Sequence, residues 1–303
     1  MAATAITLAS ARRASGVHSG WVTAAIFLPP AIALFTVFVI LPIGEAAWYG
    51  FFNWNGLGLP TNFVGLGNFV QLFANKLFTR ALINNGLIIL ISLLVQLPLA
   101  LGVAVLLADR RFGAVTFRMI FFLPYILADV AAGLIWRYMF DGDYGLVSQV
   151  ATAFGFAPVY LLADTHYAFA AVLIVIVWKY FGFHMMLYIA GMQNIDRYLY
   201  EAAAIDGANA WQRFRFVTIP GLASMIRLSI FFSLIGSLQV FDVIRAMTFD
   251  GGPLNTTHTM VSFLYIFGIT RMRVGFGSAV GIVIFVLCVV VAFSYKRLFM
   301  RDD

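Results

Sequence analysis

Six apolar stretches, each long enough to cross a bilayer as a helix, constrain this chain more than any other feature. They are Val22–Ile43, Gly86–Ala108, Met119–Phe140, Ala168–Gly191, Leu222–Ile244 and Phe276–Tyr295. A helix gains ~1.5 Å per residue, so a hydrocarbon core ~30 Å thick needs about 20 mainly apolar residues. The first, second and sixth stretches carry no charged side chain. The third holds Asp129 and Arg137, the fourth Lys179, and the fifth Arg227 and Asp242. A seventh apolar piece, Met260–Ile269, is too short to cross and reads as a re-entrant or interfacial helix. Pro29 and Pro30 predict a kink in the first span. A cleaved signal peptide over Ala11–Phe38 competes with that span, but its apolar run is too long and lacks a nearby small-residue cleavage site.

Composition agrees. Of 303 residues, 62% are hydrophobic and 11% charged, against ~45–50% and ~25% in soluble domains. No soluble core hides that much apolar surface, and the same balance excludes disorder. The expected fold class is all-α: one polytopic membrane domain. Cys288 is the lone cysteine, which excludes an intrachain disulfide and a zinc site of several cysteines. We expect no bound metal.

The net charge of +6 fits basic loops on one membrane face and calls for no nucleic acid. With the N-terminus inside, the inner side collects Arg12, Arg13, Arg110, Arg111, Arg118, Arg197, Arg213, Arg215, Arg227, Lys296, Arg297 and Arg301. The outer side holds Lys76, Arg80, Arg137, Arg245, Arg271 and Arg273. This asymmetry places both termini in the cytoplasm. The outer segment Asp141–Tyr167 carries Asp141, Asp143 and Asp164 and no Lys or Arg, in agreement. The third outer loop, with three arginines, fits least well.

Between the fourth and fifth spans lies NIDRYLYEAAAIDGANAWQRFRFVTIPGL, Asn194–Leu222. Asp196 suits the N-cap of a short helix over Arg197–Ile205, and Gly207 suits its left-handed terminus. Asn209 can cap a second helix, Ala210–Val217, and Pro220 marks the start of the fifth span. Ala202, Ala203 and Ala204 leave little bulk beside Glu201, so this helix could enter a groove on another protein and offer one carboxylate to a basic partner. From physics alone, a solvated amphipathic loop is the more ordinary reading.

The EAA run, Gly207 at the expected spacing and the following Ile-Pro resemble the EAA loop of inner-membrane permeases of binding-protein-dependent ABC importers. FVGLGNFVQLF (Phe63–Phe73), FFLPYILADVAAGLIWRYMFDGDYGLV (Phe121–Val147) and MTFDGGPLNTTHTMVSFLYIFG (Met247–Gly268) are similar to the carbohydrate-uptake branch. The resemblance covers about residues 22–298. It is to the larger maltose-type permease without that protein's big outer domain. Phe249 and Asp250 stand where similar permeases usually have one residue, a departure within the outer loop.

The resemblance implies a type I ABC importer permease fold in a bacterial inner membrane, with a tail over 1–21, a permease domain over 22–298, a coupling loop over 194–221 and a tail over 299–303. It implies four kinds of partner: a second homologous permease, two ATPase subunits, an extracytoplasmic solute-binding protein and membrane lipid. The chain has no G-x-x-x-x-G-K-[ST] motif, and none of its lysines (Lys76, Lys179, Lys296) follows a glycine. It is therefore not expected to hydrolyse ATP by that route, and the resemblance implies that this chain binds no cofactor, with ATP and Mg on the partner subunits. Glu201, Ala202, Ala203, Asp206 and Gly207 would couple to the ATPase. Gly251, Gly252 and Pro253 would face the docked binding protein, or form a simple surface turn.

Tyr125, Asp129, Phe183, Ser233 and Ser237 fall at or beside sugar-contacting positions of the maltose-type permease, and His184 adjoins Phe183. On a continuous third span, Tyr125 and Asp129, four residues apart, share a face. Each position has a structural alternative. Serines in membrane helices often bond only backbone, and Asp129 could pair with a base of the partner permease. Lys179 could snorkel or pair with an acid. Gln96 and Gln239 read as helix–helix hydrogen bonds. Two other functions compete with import. An intramembrane enzyme would need a convergent constellation, yet His18, His166, His184 and His258 are scattered and no HExxH or GxSxG occurs. A stand-alone ion-coupled carrier could use Asp129 and Lys179 as a relay.

Overall fold

The computed structural model describes residues 21–108, 113–249 and 251–299. The first 20 residues of the expected tail, Arg110 and Arg111, Asp250 and residues 300–303 lie outside the described residues. The regular elements among the described residues are helices, and the one isolated bridge among them joins Phe52 to Phe63.

Among the described residues, four helices are long and apolar enough to cross a membrane unbroken: α1 (Trp21–Tyr49), α3 (Lys76–Ala108), α7 (Ala168–Gln193) and α13 (Val274–Phe299). Between α1 and α3 lies the short α2 (Gly67–Phe73). The first span runs as one helix through Pro29 and Pro30. Its departure from α geometry comes later, as a π turn over Thr36–Ile40, so the prolines do not end the helix. Removing two neighbouring donors leaves the rest of the hydrogen-bond ladder intact.

The third and fifth spans are broken, unlike the continuous helices expected. The third comprises α4 (Ala114–Ile126) and α5 (Asp129–Met139), whose axes differ by 98°. Leu127 and Ala128 between them are extended. Next come α6 (Leu146–Ala153) in the following loop, α7, and the helix pair α8 (Arg197–Ile205) and α9 (Ala210–Gly221). The fifth span starts in α10 (Ala223–Gln239), stops at Val240 and Phe241, and restarts as α11 (Asp242–Thr248). The expected single helix over Leu222–Ile244 is therefore two.

The short helix α12 (Met260–Thr270) is embedded in the protein. Met260, Phe263, Ile266 and Phe267 join Leu72, Phe78, Phe276 and Val280 in one buried apolar cluster. A second cluster joins Val172, Val175 and Ile176 of α7 to Val243, Ile244 and Met247 of α11. A third packs Ala100 and Ala104 of α3 against Met185 and Tyr188 of α7. Small residues permit close crossings: a Cβ on Gly182 would lie 2.1 Å from the Phe121 carbonyl oxygen, and one on Gly133 would lie 2.8 Å from that of Val243. Along α1, by contrast, Ile26, Phe27 and Phe38 point outward with more than half their surface exposed.

Candidate functional site

A break in a membrane helix strands carbonyl groups that water would otherwise satisfy. Here polar side chains from other helices close both breaks. At the first, the Lys179 ammonium donates to the carbonyls of Pro124 (3.2 Å) and Leu127 (2.6 Å). At the second, Asn85 donates to the Ser237 carbonyl (2.7 Å) and the Thr259 hydroxyl to that of Val240 (2.8 Å).

The restarted halves α5 and α11 pack together, with Gly133 against Val243 and Ala246. Each opens with an acid, Asp129 and Asp242. Both acids border a cavity of about 410 Å³ among the spans, within the ~300–1,000 Å³ range of small-molecule sites. The expected path residues Tyr125, Asp129, Phe183, His184, Ser233 and Ser237 all line it, joined by Ser92, Gln96, Tyr180, Phe232, Gln239 and Asp242. Tyr125 and Asp129 do not share a helix face, because the break falls between them. They meet at the cavity across it.

Tyr125 stacks on Phe183, with centroids 4.9 Å apart, and Phe232 closes edge-on against Phe183. These rings offer apolar faces. His184 shares a 2.6 Å hydrogen bond with Ser229. The Ser233 hydroxyl is buried and makes no hydrogen bond within the described residues. Gln96 bonds to Ser92 one turn away at 3.4 Å, within its own helix rather than across helices. Asp129 pairs within the chain, its Oδ1 2.9 Å from the Lys179 ammonium and its Oδ2 accepting from the Tyr180 hydroxyl at 3.1 Å. Of the alternatives for Lys179, pairing with an acid is the one seen.

At one end of the helices sits the α8–α9 pair. Asp196 caps α8 by accepting from the Tyr198 N–H at 2.9 Å. Gly207, at φ +77°, ends it: its N–H donates to the Ala204 carbonyl and that of Ala208 to Ala203, the two bonds of a Schellman turn. Asn209 and Gln212 form a capping box that starts α9. Tyr200 and Thr218 tie the two helices at 3.0 Å. Glu201, Asp206 and Gly207 are exposed, and Ala202 and Ala203 are half-buried. The apolar residues Tyr198, Leu199, Ile205, Trp211 and Phe216 are all more than half exposed. Such a patch on a folded helix pair fits a docking surface.

At the other end, Arg137, Asp141, Asp143, Tyr160, Gly252 and Pro253 border a second cavity of about 330 Å³. Gly251, at φ +78°, lies under the His258 ring. The extra Phe249 has a partner, since the Arg137 guanidinium sits 3.9 Å from its ring centroid. The hydrogen bond from Tyr160 to Asp143 and that residue's charge raise the phenol's pKa. The His166 backbone N–H lowers that of the Asp164 carboxyl.

The α8–α9 helices and the cap residues were legible in sequence. Asn84, Asn85 and Asp242 were not singled out. Paired asparagines inside an apolar run are the signal that could have found the first two, since a buried amide must bond something. Asn84 donates to the carbonyls of Thr256 and His258, both at 2.8 Å.

Comparison with known proteins gives a consistent answer. The chain is 34% identical to the diacetylchitobiose uptake system permease protein of Streptomyces coelicolor over 88% of this chain and 79% of that one. It is 33% identical to the sulfoquinovosyl glycerol transport system permease protein of Agrobacterium fabrum, covering 92% and 91%. It is 34% identical to the lactose transport system permease protein of Rhizobium radiobacter, covering 94% of each. A crystal structure of a bacterial ABC transporter involved in the import of the acidic polysaccharide alginate contains a chain of the same fold, with TM-score 0.83 at 22% identity over 96% and 99% of the two chains. A family model matches residues 96–301, and on this ground the chain belongs to the binding-protein-dependent transport system inner membrane components.

Proposed function

We propose that this chain is one of two permease subunits of an ATP-driven importer for a saccharide or saccharide-like solute in a bacterial inner membrane. One observation carries the solute class: the cavity sets hydrogen-bonding groups (Asp129, Ser233, Ser237, Gln239, Asp242) beside the rings of Tyr125, Phe183 and Phe232. Carboxylates and hydroxyls accept from sugar hydroxyls, and rings pack on the apolar faces of pyranosides. The uptake systems of the relatives named above carry diacetylchitobiose, sulfoquinovosyl glycerol and lactose, which supports the same class here.

In this reading α8 docks in a cleft of an ATPase subunit that binds ATP and Mg. Glu201 meets a basic group there, Ala202 and Ala203 permit close approach, and Asp206 and Gly207 form the turn. Closure of the ATPase pair shifts the α8–α9 pair and rocks the spans between two packed states. Both termini and the α8–α9 pair lie in the cytoplasm, consistent with the distribution of arginines. The solute-binding protein docks at the opposite end, near Gly252 and Pro253. Membership of a transport family sets aside the intramembrane-enzyme and stand-alone-carrier alternatives.

The test is isolation of the tagged chain from native membranes. A second permease and an ATPase are expected to co-purify, and a photo-crosslinker at Glu201 to capture the ATPase. Proteoliposomes of that complex, supplied with the binding protein, should accumulate one of lactose, maltose or diacetylchitobiose on addition of ATP. Isolation of the chain alone, with no crosslink from position 201, overturns the proposal.

A further inference from the structure

We propose that Lys179 is a positioning residue, whose ammonium closes the break in the third span and in the same grip aims the Asp129 carboxylate into the cavity. The inference rests on the reading of that cavity as a solute path.

The geometry starts with the turn itself. The axes of α4 and α5 differ by 98° across Leu127 and Ala128, inside an apolar chain where stray carbonyls have no water. An ammonium has three donors, and Lys179 meets three acceptors: the Pro124 carbonyl at 3.2 Å, the Leu127 carbonyl at 2.6 Å and Asp129 Oδ1 at 2.9 Å. Pro124 belongs to α4, Leu127 to the break and Asp129 to the first turn of α5, so one side chain of α7 bolts the two halves together. Tyr180, the next residue, holds the other carboxylate oxygen at 3.1 Å. With both oxygens held, the carboxylate cannot rotate freely.

The pair is lopsided. The Lys179 side chain is 1% exposed and that of Asp129 39%. Lys179 does not line the cavity, whereas Asp129 does. The cation is sealed behind the carboxylate, and the anion faces the path. Closing a break needs no charge, as the fifth span shows: there the neutral Asn85 and Thr259 cap the freed carbonyls. A charged group at the third-span break is explained by its neighbour. A carboxylate among apolar helices needs a counter-ion, and one placed behind it leaves the outward lone pairs open to solute hydroxyls.

The test uses the complete transporter, with its partner permease and ATPase subunits, in lipid nanodiscs. On a Cys288→Ser background, nitroxide labels replace Val115 of α4 and Tyr138 of α5, both exposed, and pulsed electron resonance reads the distance across the break. The unsubstituted chain is expected to give one narrow distribution, and Lys179→Met one at least twofold broader, although methionine fills the space of the lysine stem. Asp129→Asn should keep the narrow distribution, because the amine retains both carbonyls, while ATP-driven uptake of the accepted probe (lactose, maltose or diacetylchitobiose) falls at least tenfold. Should Lys179→Met fail to assemble, the double variant Lys179→Met/Asp129→Asn, freed of the orphaned charge, is expected to assemble and still give the broad distribution. A narrow distribution in either Lys179→Met chain, or unimpaired uptake by Asp129→Asn, overturns the proposal. The distance measurement needs no solute, so it decides the role of Lys179 at the break even where none of the probes is transported.

Discussion

Asn85 donates its side-chain N–H to the carbonyl of Ser237 at 2.7 Å, across 152 residues of sequence. Its Oδ1 accepts the Met260 N–H at 2.9 Å. One buried amide thus ties the second span to the break in the fifth and to the start of α12. Asn85→Leu leaves a carbonyl and an N–H unsatisfied, at ~1–3 kcal/mol each. The thermal transition of the assembled transporter, followed by tryptophan fluorescence, is expected to fall by several degrees. A transition unchanged from the parent contradicts the tie.

Ser233 presents the opposite case. Its buried hydroxyl makes no hydrogen bond within the described residues, so Ser233→Ala removes no internal bond. The expected result is an unaltered thermal transition together with a severalfold loss of uptake rate. Equal uptake by the variant removes Ser233 from the solute path.

Gly207 and Glu201 separate folding from coupling. At φ +77° a proline, fixed near −65°, cannot fit. Gly207→Pro therefore disrupts the turn between α8 and α9. Glu201→Arg reverses the exposed carboxylate within α8. Both variants should reach the membrane at parental levels, judged by immunoblot of membrane fractions, and both should abolish uptake. Parental uptake in either removes that residue from the coupling role.

Gly182 is a matter of space. A methyl group there meets the Phe121 carbonyl oxygen at 2.1 Å, and backbone cannot swing aside as a side chain can. Gly182→Ala is expected to separate α7 from α4 and to lower the yield of assembled complex in size-exclusion chromatography. Gly236→Ala, with open space at its Cβ position, is the matched control and should assemble normally.

What could be read from sequence divides along a physical line. Local signals were faithful: Asp196, Gly207 and Asn209 cap the helices expected of them, because a cap depends on a few neighbouring backbone groups. Span positions also followed from apolar length alone. The breaks at Leu127–Ala128 and Val240–Phe241 were missed, because a long, mainly apolar stretch conceals where its helix stops and restarts. Pro124 lies in α4, yet the helix persists to Ile126, so proline position did not mark the break either. The carbonyl caps Lys179, Asn85 and Thr259 lie 52, 152 and 19 residues from their acceptors Leu127, Ser237 and Val240, and no spacing rule spans such distances. The path residues Tyr125, Phe183 and Ser233 came from family resemblance. Their gathering around one cavity is a property of the folded chain.

The first span is nearly independent of the interior it accompanies. Its most apolar window has no buried residue. Contact with the body begins near its C-terminal end, where a Cβ on Gly50 would lie 3.4 Å from the Ala279 backbone. Tethered at that end, α1 resembles a mast stepped at its foot. Substitutions at its outward residues Ile26, Phe27 and Phe38 are expected to leave the three buried clusters of the bundle intact.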